Sequence, residues 1–308
     1  MKDYLNDINE KFPIRRTKEQ KDKFRNYIKE SLDELGYQAK IECLEEKHNN
    51  IIIGDIKTAK VICTAHYDTP ARAILPNIMM PRNKPLFFAY QFLMPIIMLI
   101  ISYGLAYVVS ATFNLEKRIM LLVFLLFYYI FFFLFYMCGS NKHNKNDNTS
   151  GVAGVLSTVS NVAKEYKNKV AFILFDNEEK GKKGSKAINK AYPDIFKDKL
   201  VLNMDCIGNG NNIIIVGMDG AVNKSEYTLL KETFIPNSLY SVYFFGRKGS
   251  ECNSDHKSFP CGVGIMACKQ NKFVGYYTPY IHTSKDKIAN TENIKFISGS
   301  LTKFIERI

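Results

Sequence analysis

Two long uncharged segments constrain this chain more than any other feature of its sequence. Residues 85–115 contain no charged side chain, and neither do residues 119–138. The most apolar part of the first segment, residues 86–109, is long enough to cross a bilayer, which requires about 20 apolar residues. Helices of a soluble core rarely lack a polar stripe over such a length. We therefore predict a hairpin of two transmembrane helices.

A hairpin returns the chain to the side of the membrane from which it entered. We therefore expect residues 1–84 and 139–308 to share a compartment and to form one domain in two parts, with residues 85–138 as a hairpin insert. Basic residues near the ends of membrane helices favour the cytoplasmic side. Five lie near the outer ends and two in the link, namely Arg72, Arg82, Lys84, Lys142 and Lys145 against Lys117 and Arg118. The sequence thus predicts an integral membrane protein whose two flanking parts face the cytoplasm.

Cysteine usage and charge agree with that location. The seven cysteines include no CxxC pair, which favours free thiols in a reducing compartment. The polar N-terminal segment lacks the apolar core of a secretion signal. The net charge of +12 favours anionic partners, and lipid headgroups would suit a basic membrane protein. The lysines are scattered and no zinc-finger spacing occurs, so nucleic acid is not an expected partner.

Outside the hairpin, short apolar runs alternate with helical patterns. The runs "NIIIGD", "KVICTAH", "VAFILFD", "KLVLNMD", "NIIIVG" and "GVGIMAC" read as strands. Helical spacing marks residues 17–35, 151–166, 184–191 and 292–306. Such alternation predicts the α/β class, with a mostly parallel central sheet flanked by helices.

The predicted strands end in polar residues. The run "VICTA" is followed by His66 and Asp68, and "AFILF" leads to Glu178 and Glu179. "LVLNM" ends at Asp205, Asp147 precedes a predicted helix, and His282 lies near the end of the chain. Ligands of parallel sheets bind beyond the carboxyl ends of the strands. We therefore expect these groups to share one edge of the sheet.

Several carboxylates can stay ionised together only when a cation offsets their charge. Imidazole and carboxylate form a ligand set suited to zinc. The candidate ligands are His66, Asp147, Glu179, Asp205 and His282. Five ligands suit two ions about 3.5–4 Å apart, with one carboxylate bridging them. Glu178 would then be free to act as a general base.

The motifs that carry these residues are similar to those of a known family. "AHYD", "NDNTSGV", "DNEEKGKKGS", "NMDCIG", "SDHKSF" and "YIHTSKD" occur in the order found in metallopeptidase family 28. That family contains dizinc aminopeptidases such as bacterial leucyl aminopeptidase, and glutaminyl cyclase shares its fold. The resemblance covers about residues 17–72 and 140–308 and implies a zinc exopeptidase (phosphorylase/hydrolase-like) fold, with the hairpin as an insert.

The resemblance also implies individual roles. His66 and Asp205 would bind one Zn²⁺, and Glu179 and His282 the other. Asp147 would bridge the two ions. Glu178 would be the general base in peptide hydrolysis, and Asp68 would orient the imidazole of His66. The expected substrate is a peptide with a free N-terminus.

Some points stay open at the level of sequence. A tyrosine near the last histidine steadies the oxyanion in many relatives, and Tyr276, Tyr277 and Tyr280 are all candidates. Asp255 and His256 fit a structural or supporting role better than a catalytic one. The hairpin separates His66 from Asp147, so it joins the sheet beside the predicted metal site.

Three other functions are alternatives to an aminopeptidase. A carboxypeptidase would need a basic pocket for a free carboxylate. A glutaminyl cyclase of this fold uses one zinc ion, and the five-ligand set argues against it. An inactive membrane scaffold would be expected to lack a ligand or the base. The sequence does not indicate the oligomeric state.

Overall fold

The computed structural model describes residues 3–75, 77–136 and 139–308. Its strands, numbered in chain order, are β1 Ala39–Leu44, β2 His48–Ile53, β3 Val61–His66, β4 Asn77–Met79, β5 Val170–Phe175, β6 Leu200–Met204, β7 Asn212–Gly217, β8 Ser241–Gly246, β9 Gly262–Asn271 and β10 Gly275–Ile281. Its α-helices are α1 Tyr4–Lys11, α2 Lys18–Asp33, α3 Lys84–Phe113, α4 Lys117–Tyr136, α5 Gly151–Asn161, α6 Lys183–Ala191, α7 Pro193–Phe196, α8 Asp219–Val222, α9 Ser225–Thr233 and α10 Thr291–Arg307.

The strands form one mixed sheet with a parallel centre. The order along the main path is β1-β2-β5-β3-β6-β9-β10-β4, and β7 and β8 branch from β9. The neighbouring pairs β5–β3, β3–β6 and β6–β9 are parallel. The flanking pairs β1–β2, β2–β5, β9–β10 and β10–β4 are antiparallel. The predicted α/β class with a parallel centre is confirmed.

Helices cover both faces of the sheet because alternate side chains of each strand point to opposite faces. Val61, Cys63 and Ala65 of β3 belong to the larger apolar core, which α1, α2, α5, α9 and α10 complete. Ile62 belongs to a smaller core on the other face, with Ile188 of α6 and Phe196. Both faces of the sheet are therefore covered, and a site is expected at the ends of its strands.

All four predicted helices and all six predicted strands are present, with small shifts of their ends. The predicted helix 151–166 stops at Asn161, and a short 3-10 turn, Lys164–Lys169, follows. Strands β1, β4, β8 and β10 were missed. β4 is only three residues long, and β1 and β10 lack a continuous apolar run. β8 has the apolar run VYFF, but it is short and only partly buried.

The two uncharged segments form α3 and α4, which pack against each other. Both helices are long and apolar enough to cross a membrane. Three residues of α3 are buried, Met98, Ser102 and Ala106, and α4 has no buried residue. A helix of a soluble core would bury a whole face. Residues 137 and 138 of the predicted second segment lie outside the described residues.

Candidate functional site

Three parallel strands deliver their terminal residues to one edge of the sheet. His66 is the last residue of β3 and pairs in register with Phe175, the last residue of β5. Glu178 and Glu179 follow β5 in a turn, and Asp205 directly follows β6. The parallel register thus places one imidazole and three carboxylates at the same level, as expected from the sequence.

Asp147 and His282 reach the same edge from outside the parallel strands. Asp147 lies in the irregular turn Lys145–Ser150 that leads into α5, and His282 follows β10. The carboxylate of Asp286 accepts hydrogen bonds from the backbone N–H groups of Asn146 and Asp147 at 3.1 and 3.0 Å. Asp286 therefore fixes the backbone on which Asp147 is carried.

Distances join the predicted ligands into one cluster. His66 Nε2 lies 3.4 Å from Asp147 Oδ1 and 3.9 Å from Asp205 Oδ1. His282 Nε2 lies 3.1 Å from Asp147 Oδ2 and 3.4 Å from Glu179 Oε2. Asp147 thus faces His66 with one oxygen and His282 with the other, which is the geometry required of a bridging carboxylate.

Asp68 connects His66 to the loop that carries the two glutamates. Its carboxylate oxygens accept hydrogen bonds from the backbone N–H groups of Glu178 and Glu179, at 2.9 and 3.2 Å. His66 Nδ1 lies 3.2 Å from the Asp68 carbonyl oxygen and 3.6 Å from its Oδ1. One buried aspartate therefore positions the imidazole and both glutamates.

The electrostatics of the cluster show how closely its acidic groups are packed. Desolvation raises the pKa of Glu178 well above its usual range, and the nearby Asp255 and Glu179 add to that shift. Desolvation likewise raises the pKa of Glu179 to about 8. Burial also acts to raise the pKa of Asp147, but His282 and His66 outweigh it and hold that pKa below its usual range.

The pKa values of the two histidines also rise, which favours their positively charged forms. Burial acts to lower the pKa of His66, but the neighbouring carboxylates of Asp147, Asp205 and Asp68 raise it well above its usual value. For His282, burial is again outweighed, chiefly by the charge of Glu179, and the pKa rises to about 9. The cluster therefore favours positive charge at its centre.

The donor set fits a divalent metal ion such as zinc. Three groups of side chains each bring their donor atoms within 4.8 Å of one another, namely His66–Asp147–Asp205, Asp147–Glu179–His282 and His66–Glu178–Glu179. Glu179 Oε1 and Asp205 Oδ1 are buried and have no hydrogen-bond partner among the described residues. Buried carboxylate oxygens without a partner are costly, and a cation would satisfy them.

The cluster opens into a cavity of about 470 Å³. Its polar wall contains Asp147, Glu178, Glu179, Asp205 and His282, together with Lys182, Asn253 and Ser254. Its apolar wall contains Met79, Phe87, Met266 and Ile281. A small polar ligand with one apolar side chain would fit such a cavity.

Sequence reasoning missed some of these residues. Asp286 lies in the motif "YIHTSKD", yet only His282 was selected from it, because a supporting carboxylate has no spacing rule of its own. Lys182 donates a hydrogen bond to Asn253 Oδ1 at 2.6 Å, which holds it at the cavity wall. The three candidate tyrosines do not line the cavity in the described part of the chain.

Asp255 and His256 are fully buried beside the site, and the structural or supporting role expected of them stays a prediction. The pKa of Asp255 rises to about 7 because the carboxyl group is desolvated. Asp176, the residue directly after β5, forms a buried ion pair with Lys21, with 2.6 Å between Oδ1 and Nζ. It therefore ties α2 to the end of β5.

Comparisons with known proteins agree with this architecture. The family model described as peptidase family M28 matches residues 142–298, slightly more than half of the chain. A search of curated proteins by sequence finds no match. The LapA aminopeptidase of Legionella pneumophila is 16% identical, with a TM-score of 0.57 over 98% of this chain and 69% of that one.

Glutaminyl cyclases are also similar in structure. The enzyme of Porphyromonas gingivalis is 12% identical, with a TM-score of 0.57 over 99% of this chain and 96% of that one. The enzyme of Fimbriiglobus ruber is 14% identical, with a TM-score of 0.54 over 98% and 92%. At such identities the likeness shows the shared fold.

Proposed function

The chain belongs to peptidase family M28, and from this membership we propose that it is a membrane-anchored, zinc-dependent aminopeptidase. The observation that carries the proposal is one cluster of five candidate metal ligands and Glu178, all of which except His66 line the cavity. In the proposed assignment, His66 and Asp205 hold one Zn²⁺, Glu179 and His282 hold a second, and Asp147 bridges them.

Zinc, when bound there, would polarise a peptide carbonyl and lower the pKa of a coordinated water toward neutrality. Glu178 lines the cavity beside the ligands but is not needed as one. A carboxylate at this place could take a proton from water and pass it to the leaving amine. Asp68 keeps Glu178 in place through the backbone N–H group.

The lining of the cavity offers no basic pocket for a free carboxylate among the described residues. Lys182 is the one lysine in that lining, and it already donates a hydrogen bond to Asn253. Of the four lining carboxylates, Asp147, Glu179 and Asp205 would be offset by the zinc ions, and Glu178 would be the proton acceptor. A carboxypeptidase would need a cationic group to hold the substrate carboxylate, so the lining favours an aminopeptidase.

Hydrolysis of a peptide panel would test this function. The detergent-purified, zinc-loaded protein is incubated with free, N-acetylated and C-amidated versions of the same peptides, including some that begin with glutamine. We expect stepwise loss of residues from free N-termini, blocked by acetylation and unaffected by amidation. Mass spectrometry identifies each product.

Each of the other outcomes would indicate a different function. Loss that only amidation blocks would indicate a carboxypeptidase. Loss of ammonia from N-terminal glutamine, with no residue removed, would indicate a glutaminyl cyclase, the activity named for two of the structural neighbours. No reaction with any peptide would contradict the enzyme proposal and favour a scaffold.

We also propose that α3 and α4 cross the membrane and that the catalytic domain, formed by residues 1–84 and 139–308, faces the cytoplasm. The length, composition and exposure of both helices support the crossing, and the basic residues at their outer ends support the orientation. In sealed right-side-out vesicles, added protease should cleave a tag inserted in the link at residues 114–116 and spare a C-terminal tag. The reverse pattern would contradict the orientation, and cleavage of neither tag would contradict a hairpin that spans the bilayer.

A further inference from the structure

The base of the hairpin is hydrogen-bonded to the strand that precedes His282. Strand β4, which leads into α3, pairs with β10 through Met79 and Thr278 and through Asn77 and Ile281. The carbonyl oxygen of His282 accepts a hydrogen bond from Ala73 N–H at 2.8 Å. The next residue, Ile74, donates its N–H to the carbonyl of Phe135 in α4 at 2.8 Å. Backbone hydrogen bonds therefore join the base of the hairpin directly to His282, a proposed metal ligand.

The first helix of the hairpin also forms part of the cavity wall. Phe87 and Gln91, in the first two turns of α3, line the 470 Å³ cavity together with the cluster. The buried hydroxyl of Thr278 lines the same cavity and has no hydrogen-bond partner among the described residues. A bound peptide could satisfy it, since an unpaired buried hydroxyl is costly.

A second, smaller cavity of about 150 Å³ continues between the two helices. Tyr90 and Met94 of α3 and Tyr136 of α4 line it. Asn77, Gln91 and His282 line both cavities, and Gln91 Nε2 donates a hydrogen bond to Asn77 Oδ1 at 3.1 Å. This amide pair lies where the two cavities meet, beside His282.

With α3 crossing the membrane as proposed above, the cavity would lie close to the membrane surface. The uncharged segment begins at Pro85, and a helix rises about 1.5 Å per residue, so Phe87 and Gln91 lie within about 10 Å of its start. Asn83 Nδ2, at the N-terminal cap of α3, donates a hydrogen bond to the carbonyl of Val274. Phe273 precedes Val274 in the β9–β10 turn and is 89% exposed, so it is an apolar side chain close to the start of α3.

We propose that α3 is a wall of the substrate site and that the substrates are peptides held in the membrane by an apolar segment. Their free N-terminus would enter the cavity along Phe87 and Gln91, and an apolar side chain would occupy the space between the helices. This inference rests on the proposed aminopeptidase function. A bilayer beside the cavity restricts the approach of soluble peptides, whereas it concentrates peptides that are already anchored in it.

The test compares two peptides in lipid nanodiscs that contain the zinc-loaded, full-length protein. Both peptides have the same N-terminal sequence, followed in one by an apolar 20-residue segment and in the other by a polar segment of equal length. We expect kcat/KM to be at least about tenfold higher for the membrane-held peptide. Equal values would overturn the inference and leave the aminopeptidase function intact.

A matched pair of variants tests the helix wall. Phe87→Ala should lower kcat/KM for the membrane-held peptide by about tenfold or more. Phe88→Ala should stay within about twofold of the parent chain, because Phe88 is 46% exposed and is not among the residues that line the cavity. Its ring packs edge-on against that of Phe87 at 5.4 Å between centroids, so the variant also controls for the loss of that contact. Phe87→Leu gives the same comparison if the alanine variant does not fold. Equal effects at positions 87 and 88 would overturn the role of α3.

A binding readout separates the two proposals. A photoreactive phenylalanine analogue at position 87 should cross-link to the membrane-held peptide in the Glu178→Gln background, and the same analogue at position 88 should not. Cross-linking at 87 without any hydrolysis by the parent chain would contradict the aminopeptidase function while supporting the binding site. Absence of both cross-linking and hydrolysis would overturn both.

Discussion

Glu178→Gln is expected to lower kcat for peptide hydrolysis by about 10²–10⁴-fold, the usual contribution of a general base. Glutamine keeps the size and the backbone N–H bond to Asp68, but it cannot accept a proton from water. Zinc content should remain that of the parent chain, because the proposed ligands are untouched. The measurements are steady-state hydrolysis of a free-N-terminal peptide and metal analysis of the purified variant.

Its neighbour provides the control. Glu179→Gln changes the adjacent side chain in the same way, yet Glu179 lies 3.4 Å from His282 and is a proposed ligand. We therefore expect this variant to lose zinc as well as activity. If Glu178→Gln retains most of the parent activity, or loses zinc as Glu179→Gln does, the assigned role of Glu178 is wrong.

Asp147→Asn is expected to weaken zinc binding by more than about 100-fold, beyond the loss typical of a residue that only supports a ligand. The reason is geometric, since its two carboxylate oxygens face His66 and His282 separately. Removing the charge should affect both ions together. Zinc titration followed by calorimetry would measure the affinity and the number of ions bound per chain.

Asp205→Asn separates a bridging role from an ordinary one. Asp205 Oδ1 lies 3.9 Å from His66, on one side of the cluster only. This variant should retain one zinc ion, whereas Asp147→Asn should retain less than one. An Asp147→Asn protein that still binds two ions with the parent affinity would contradict the bridging assignment.

The residue pattern at the strand ends was readable because strand geometry is local. An apolar run of strand length that stops at His66, directly before Asp205 or three residues before Glu178 implies that those groups lie at or beyond the carboxyl end of a strand. Parallel pairing then brings them to one edge without further information. The ordered motifs added Asp147 and His282, which no periodicity would have located.

The residues that position the candidate ligands were harder to predict from the sequence. Asp286 acts through two backbone N–H groups of the Asp147 turn, and nothing in its own sequence neighbourhood indicates that contact. Strand β10 begins with three partly buried residues and includes Thr278, Pro279 and the exposed Tyr280, so it lacked the apolar run by which β3 and β5 were found. Side-chain contacts between distant segments depend on tertiary packing, which the local sequence pattern does not reveal.

The sequence by itself determined the α/β class, the apolar hairpin and the set of chemically active side chains, because each depends on composition or short-range periodicity. Only the tertiary structure decided that Asp147 lies between His66 and His282, and that the first turns of α3 reach the same cavity. Both facts follow from the pairing of β4 with β10 and from the docking of the Asp147 turn on Asp286. These contacts join residues far apart in the chain, and their geometry exists only once the sheet has formed.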